Sequence, residues 1–473
     1  MKTKRLNPLD ASWLYVESDE TPMHVGGLLT FELPEGAPKE FCLQMVEEFK
    51  TFGDIYPPWN QKLKSTRLKN PIHRWIEDEK MDIDYHLRHS ALPAPGGERE
   101  LGVLASRLHS HPLDFRRPPW ECHIIEGLDN NRFALYIKIH HSLIDGVAGM
   151  RLLARALASD PADIHRPPFW AIPPRERKPQ AEGAKKLASF FENISDAISG
   201  TLDGVRHQAD NVPELFKVAS NMVKAARTPN DPMGLPFDAP NSILNGRIHG
   251  QRRYATQLYT VTRLKTLAKA ADCTLNDIVL AICAGALRRF LLEADALPEK
   301  PLTAGIPVSV RPKGDEETGN AITFIIASLG TDIADPAERL AEIKASTQSA
   351  KENLKQLSAD AMMQYTMALM APYIGSLITG VGGRTRPVFN LTISNVPGPQ
   401  QDLYVHGARM EAFYPTSLIT HGQALNITIH GHADTLGFGF IGCRDTLPSM
   451  QNIAVYTGEA LEELEGIFLK KPK

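Results

Sequence analysis

Apolar and polar positions alternate in ways that divide the chain into strand-like and helix-like runs. The run from Phe133 to Ile139 alternates with one strongly apolar face and predicts a strand. Tyr254 to Val261, Phe389 to Ser394 and Leu425 to His430 show the same two-residue period. The last of these continues through Ala433, Asp434 and Thr435 into Leu436 to Ile441, a predicted hairpin. Ile278 to Leu287 is apolar on every side, which predicts a buried helix, and Thr274 followed by Asp277 is a capping-box signal at its start. From Ala184 to Arg227, Leu187, Phe190, Phe191, Ile194, Ile198, Leu202 and Val205 recur at three-and-four spacing and predict an amphipathic helix.

Two proline-rich stretches interrupt this pattern, PADIHRPPFWAIPPRERKPQ after residue 160 and TPNDPMGLPFDAPNSILNG from Thr228. Neither can be regular helix or central strand. They divide the chain into an N-terminal domain at 1–160, a crossover linker with an amphipathic helix at 161–245, and a C-terminal domain at 246–473. A length of 473 residues exceeds what one core serves and agrees with two domains. Each half mixes strands with helices, so the expected fold class is α/β, as two mixed sandwiches.

Composition narrows the function classes. Hydrophobic residues make up 42% and charged residues 23%, as in globular proteins. The net charge of −3, from 52 basic and 55 acidic residues, offers no field to hold nucleic acid. The charged start has no apolar run behind it, so no secretion signal is expected. Cys42, Cys122, Cys273, Cys283 and Cys443 are widely spaced in apolar surroundings, as expected of reduced core thiols in a cytoplasmic protein without zinc. The uncharged run from Ala361 to Gly383 is long enough to span a bilayer, but Pro372 at its middle and its scattered polar residues favour a buried or lipid-contacting helix pair.

Candidate chemistry stands at the end of the first strand, in His140-His141-Ser142-Leu143-Ile144-Asp145-Gly146. A strand end opening into a glycine-containing turn holds a side chain rigidly while leaving it accessible. By parity His141 continues the face of Leu135, Ile137 and Ile139, and His140 that of Tyr136 and Lys138, so the two imidazoles point opposite ways. An imidazole can take a proton from an alcohol near neutral pH and return it to a leaving thiolate. Asp145 could hold the loop, and Gly146 supplies backbone freedom. Two histidines that merely cap a strand are the plainer alternative. Parity does not say which of the two is catalytic.

HHSLIDG resembles the HHxxxDG signature of the CoA-dependent acyltransferase superfamily, shared by chloramphenicol acetyltransferases, peptide-synthetase condensation domains and wax ester synthases. The opening LNPLDASWLYVESDETPMHVGGL, the runs Leu275 to Ala281 and Pro307 to Arg311, and Ser394-Asn395-Val396-Pro397-Gly398-Pro399 are similar to the bacterial wax ester synthase/acyl-CoA:diacylglycerol acyltransferase family. One element departs: the family's Pro-Leu-Trp appears as Pro118-Pro119-Trp120. The resemblance implies two chloramphenicol acetyltransferase-like domains with a substrate channel between them. It implies transfer of a long-chain acyl group from acyl-CoA, a substrate rather than a cofactor, to a fatty alcohol or diacylglycerol. His141 would be the base and Asp145 would hold the architecture, with His140 beside them.

Substrate-binding roles are expected for Gly146, Trp120, Asn276, Asn395 and Pro397, and each has a plainer alternative as a cap, core or loop residue. For Asp277 we expect capping. Lys344, Lys351, Lys355 and Arg311 could meet CoA phosphates, although a solvated face explains the lysines equally well. Met362, Met363, Met367 and Met370 offer either flexible surface for varied chains or core packing. The helix at 184–205 lacks the basic face of an anionic-membrane binder. Peripheral contact with a membrane or lipid-body surface is a further expectation. Two competing readings stand beside ester synthesis: a carrier-dependent amide-forming condensation enzyme, and a non-catalytic lipid-binding protein on the same scaffold.

Overall fold

The computed structural model describes residues 3–6, 8–68, 73–144, 146–174, 239–309, 322–356, 365–366, 369, 373, 375–377 and 380–469. The helix expected at 184–205, Arg311 and the four methionines between 362 and 370 lie outside them.

The N-terminal half contributes β1 (Thr3–Arg5), α1 (Pro8–Val16), β2 (His24–Glu32), α2 (Phe41–Thr51), β3 (Gln61–Leu63), β4 (Arg74–Glu77), α3 (Ile83–His86), β5 (Leu87–Ala91), α4 (Glu98–Ser110), β6 (Trp120–Leu128), β7 (Arg132–His140) and α5 (Gly146–Ala156). The C-terminal half contributes β8 (Arg252–Thr260), α6 (Val261–Ala270), α7 (Leu275–Glu293), β9 (Thr303–Ser309), β10 (Ile322–Ser328), α8 (Pro336–Lys355), β11 (Leu391–Val396), β12 (Tyr404–Val405), β13 (Ala408–Thr416), β14 (Leu425–His432), β15 (Thr435–Cys443) and α9 (Asn452–Phe468). A small sheet pairs β1, β4 and β3, and two six-stranded sheets carry the architecture. The predicted hairpin is β14 with β15, paired antiparallel from Leu425 with Gly442 to His432 with Thr435.

The helix layer of the C-terminal sheet is built around α7. Thr274 and Asp277 cap its start reciprocally, and the Thr347 hydroxyl donates to the other Asp277 oxygen at 2.9 Å, so Asp277 is a capping residue as expected. Residues Ile278 to Ala284 are all buried, because α6, α8, α9 and the sheet surround the helix. Leu391, Ile393, Ile427, Ile429, Phe438 and Phe440 complete this core from the sheet side.

The strand order crosses the domain division drawn from the sequence. The C-terminal sheet runs β10-β9-β11-β14-β15-β8, but the N-terminal sheet runs β12-β13-β2-β7-β6-β5. Strand β13, from the C-terminal half, pairs antiparallel with β2 from Arg409 opposite Glu32 to Thr416 opposite Gly26. It simultaneously lies on β15, where a Cβ at Gly437 or Gly439 would collide with the carbonyl oxygens of Phe413 or Pro415. The alternation Gly437-Phe438-Gly439-Phe440 thus serves two faces, bare for backbone contact and bulky for the helix layer.

A second tie comes from α4, which lies along the free edge of β8. The hydroxyls of Ser106 and Ser110 accept the backbone N–H groups of Tyr254 and Arg252, each at 2.8 Å. Serines four apart on a helix meet strand donors two apart, which covers an edge that would otherwise stay open. Among the described residues, no single helix is long and apolar enough to cross a membrane. Of the cysteines, Cys42, Cys122, Cys283 and Cys443 are buried and Cys273 half-buried, all as free thiols. Burial pushes Cys42, Cys122 and Cys283 up to about 12.

Candidate active site

Strand β7 ends at His140, and backbone hydrogen bonds fix the turn beyond it. The N–H of His140 donates to the Pro119 carbonyl, that of His141 to the Met23 carbonyl and that of Leu143 back to His140, all at 2.9 Å. Residues 141–143 form a turn and α5 opens at Gly146; Asp145 lies outside the described residues.

The two imidazoles have different surroundings. His140 is fully buried on the Tyr136 and Lys138 face, as parity predicts. Its Nδ1 accepts the Ser142 N–H at 3.1 Å and lies 2.6 Å from the Ser142 hydroxyl. An accepting Nδ1 puts the ring proton on Nε2, which faces Glu17 Oε2 at 3.3 Å. The same carboxylate, only 4% exposed, accepts the Met23 N–H. Both nitrogens of His140 are therefore engaged, and Phe115 closes edge-on over the ring at 4.9 Å. His141 is half-buried, and the indole of Trp13 stacks on its ring with centroids 4.2 Å apart and planes 27° apart. A held imidazole that keeps an accessible surface is suited to proton transfer.

Behind the pair, a buried polar network anchors β7 to α4. The Lys138 ammonium donates to the Leu108 and His111 carbonyls at 2.9 Å, satisfying the negative end of α4, and lies 3.2 Å from Glu121. Burial alone would raise Glu121, but the His123 hydrogen bond and the Lys138 and Arg88 charges hold it at about 2. His109 accepts the Tyr136 hydroxyl at Nδ1, 2.8 Å away, and donates from Nε2 to the Ser417 carbonyl at 3.1 Å. Burial first, then the charges of Lys138 and Arg252, pulls His109 down to about 3. The network is neutral where it can be, which is how buried imidazoles avoid the cost of charge.

The remaining candidates are dispersed over the fold. Asn276 is half-buried at the second position of α7, where N–H groups gather positive potential. Asn395 is half-buried in β11 opposite Ile429, and Pro397 is exposed just beyond the strand. The following Gly398 passes so close to Gly431 that a Cβ would meet its carbonyl, so this turn is pinned over the β14–β15 hairpin. Trp120 requires a correction. It has no exposed surface, its indole N–H donates to the Trp59 carbonyl at 2.7 Å, and it stacks on His86 and Trp170. It is a core residue that shapes the region by packing and has no face to offer a substrate. Lys344 is bound to the Asp272 carboxylate at 3.1 Å, which joins α8 to the α6–α7 turn.

Sequence reasoning missed Trp13 and Glu17. Their spacing of four was the available signal: Trp13 lies in the last turn of α1 and Glu17 one residue beyond its end, a separation that sets two side chains on the same side of a helical turn. Among the described residues, no group of three or more His, Cys, Asp or Glu is placed to hold a metal ion.

Known proteins of similar sequence and structure point the same way. Residues 6–279 match the model of the wax ester synthase/diacylglycerol acyltransferase catalytic domain, and residues 318–465 that of the corresponding C-terminal domain. A putative diacylglycerol O-acyltransferase of Mycobacterium tuberculosis is 47% identical over 98% of this chain and 97% of its own length. The O-acyltransferase WSD of Acinetobacter baylyi is 39% identical over 98% of both chains. Among solved structures, the wax ester synthase/diacylglycerol acyltransferase of Marinobacter aquaeolei aligns with a TM-score of 0.80 at 38% identity, covering 99% of this chain and 100% of that one. The first condensation domain of the calcium-dependent antibiotic synthetase, at 14% identity and a TM-score of 0.54 over 98% of this chain and 96% of its own, shares the fold.

Proposed function

The chain belongs to the wax ester synthase/diacylglycerol acyltransferase family, and from that membership we propose that it moves a long-chain acyl group from acyl-CoA to a fatty alcohol or a diacylglycerol with His141 as general base. It is an O-acyltransferase by family, and the amide-forming and non-catalytic readings are set aside. The observation that carries the assignment of the base is the contrast between the two histidines. His140 has both nitrogens engaged in a closed interior, whereas His141 keeps accessible surface at the strand end.

In this mechanism an imidazole nitrogen of His141 takes the proton of the acceptor hydroxyl as its oxygen attacks the thioester carbonyl. The C–O bond forms, the carbonyl becomes a tetrahedral oxyanion, and its collapse breaks the C–S bond. The CoA thiolate leaves with the proton from the imidazolium, so the enzyme returns to its starting state. Asn276 at the positive end of α7 is our candidate donor to the oxyanion; by the family reading Asn395 and Pro397 would line the approach, and Asp145 and Gly146 would keep the architecture of the motif. Acyl-CoA enters as a substrate, in a cytoplasmic setting and at a lipid surface.

The test is thiol release from palmitoyl-CoA in the presence of hexadecanol or diolein. We expect wild type to be active, His141→Ala to lose at least about 10³-fold and His140→Ala to be impaired through misfolding of the turn. Turnover that survives in His141→Ala would overturn the assignment of the base.

A further inference from the structure

In the segment that joins α1 to β2, Glu17 and Glu20 face opposite ways. Glu17 points inward with its side chain 4% exposed, where its carboxylate accepts the Met23 N–H and faces His140 Nε2. Glu20 points outward and is 46% exposed. Between them a tight turn is closed by reciprocal backbone bonds of Ser18 and Thr21, and the Thr21 hydroxyl donates to the Val16 carbonyl at 3.0 Å. Whatever grips this turn from outside also acts on the two histidines, because the Met23 carbonyl at its far end accepts the His141 N–H.

The C-terminal half grips it. The Glu20 carboxylate lies 3.3 Å from His421 Nε2, 3.5 Å from the Arg247 guanidinium and 3.7 Å from His249 Nδ1. Such half-exposed pairs are screened by solvent and contribute little. Arg252, the first residue of β8, makes the contact that is buried. Its guanidinium donates from Nη2 to the Glu20 carbonyl at 2.8 Å and from Nη1 to the His249 carbonyl, while Ser110 accepts its backbone N–H. Both ends of the residue are thereby fixed.

A buried guanidinium needs an anion as well as dipoles. The Glu20 and His249 carbonyls supply only dipoles. Burial pulls Arg252 down to about 10, and the groups that oppose this fall are Cys443 and Glu17, of which Glu17 is the carboxylate. His109, which feels the same guanidinium, is held neutral by burial and by the charges of Lys138 and Arg252, and Lys138 has its own anion in Glu121. Glu17 is thus the counter-charge to Arg252. The line of contacts runs from Arg252 across the turn to Glu17, His140 and the backbone of His141.

From this arrangement we propose that Arg252 is a positioning residue for His141: a buried cation from the C-terminal half that holds the 17–23 turn by the Glu20 carbonyl and balances the Glu17 carboxylate beside His140. The proposal rests on the acyltransferase reading above, with His141 as base. Without Arg252 a buried carboxylate stands uncompensated, and the turn opens to hydrate it. That opening displaces Met23, and with it the carbonyl that holds His141.

The experiment measures Tm, and kcat and KM for palmitoyl-CoA with hexadecanol or diolein, whichever the wild type esterifies faster. It uses the full chain as wild type, Arg252→Met, Glu17→Gln and the Arg252→Met/Glu17→Gln double variant. We expect Arg252→Met to lower kcat about 10–100-fold with KM within about three-fold. Charge balance sets the decisive outcome: removing the carboxylate together with the cation should restore Tm and bring kcat about ten-fold above that of Arg252→Met. An Arg252→Met chain that fails to fold while the double variant folds and turns over supports the proposal equally. Losses that multiply in the double variant, a loss confined to KM, no loss in Arg252→Met, or a double variant that fails to fold would overturn it while leaving the acyltransferase reading standing. A wild type that esterifies neither acceptor would overturn both.

Discussion

The indole of Trp13 and the imidazole of His141 lie face to face, 4.2 Å between centroids. The contact fixes the ring plane and sets an electron-rich face against a group that becomes cationic as it accepts a proton. Replacing Trp13 by Leu should lower kcat about 3–30-fold with little change in KM, and Phe should restore part of the loss. Steady-state kinetics on both acceptors checks this. A loss expressed in KM alone would assign Trp13 to substrate binding instead.

Glu17 controls the same turn from the other side. Its carboxylate takes the Met23 N–H and the His140 Nε2 proton, and the Met23 carbonyl holds the His141 N–H. Glu17→Ala leaves two buried donors unpaired and should cost about 2–5 kcal/mol in urea unfolding together with most of the activity. Glu17→Gln, which can still accept, should recover much of the stability. Equal stability of the Ala variant and wild type would show that this carboxylate holds nothing.

Acid should unfold the protein through its buried histidines. Burial first, with neighbouring cations, holds His109 at about 3, and burial holds His86 and, with His432 nearby, His430 at about 4. In the unfolded chain each titrates near 6.5. Below that pH the unfolded state binds protons that the folded state refuses. Stability should thus be complete above pH 6.5 and fall towards pH 4 by up to about 1.4 kcal/mol per pH unit for each histidine. Urea midpoints at pH 7.5 and 5.5 measure this, and a midpoint independent of pH in that window would contradict it.

Ser106 and Ser110 tie α4 to the edge of β8 through the Tyr254 and Arg252 amides. Each Ser→Ala change strands one of these donors and should cost about 1–3 kcal/mol. The double variant should expose the amides of β8 to hydrogen exchange while leaving α7 protected. Unchanged exchange at Arg252 and Tyr254 would mean the hydroxyls are dispensable.

Local periodicity made much of the fold legible. Strands β7, β8, β11, β14 and β15 and the capped helix α7 follow directly from spacing and turn residues, because each buries one face or all of itself. The loan of β13 was not legible, since partner choice is a non-local property and Ala408–Thr416 carries no mark of the sheet it joins. Parity separated His140 from His141, and burial then distinguished them. Trp120 misled because a tryptophan beside a motif can be core as easily as contact surface.

The loan of β13 bears on biosynthesis. When a ribosome has released β7, roughly 280 residues remain to be translated before Thr416 can complete the first sheet. At about 5–20 residues per second that interval lasts about 15–55 s. Throughout it the outer edge of β2 stands bare, a template on which a neighbouring nascent chain can pair. The open edge of β2 is thus an aggregation liability during synthesis, one that closes only when β13, near the end of the chain, is in place.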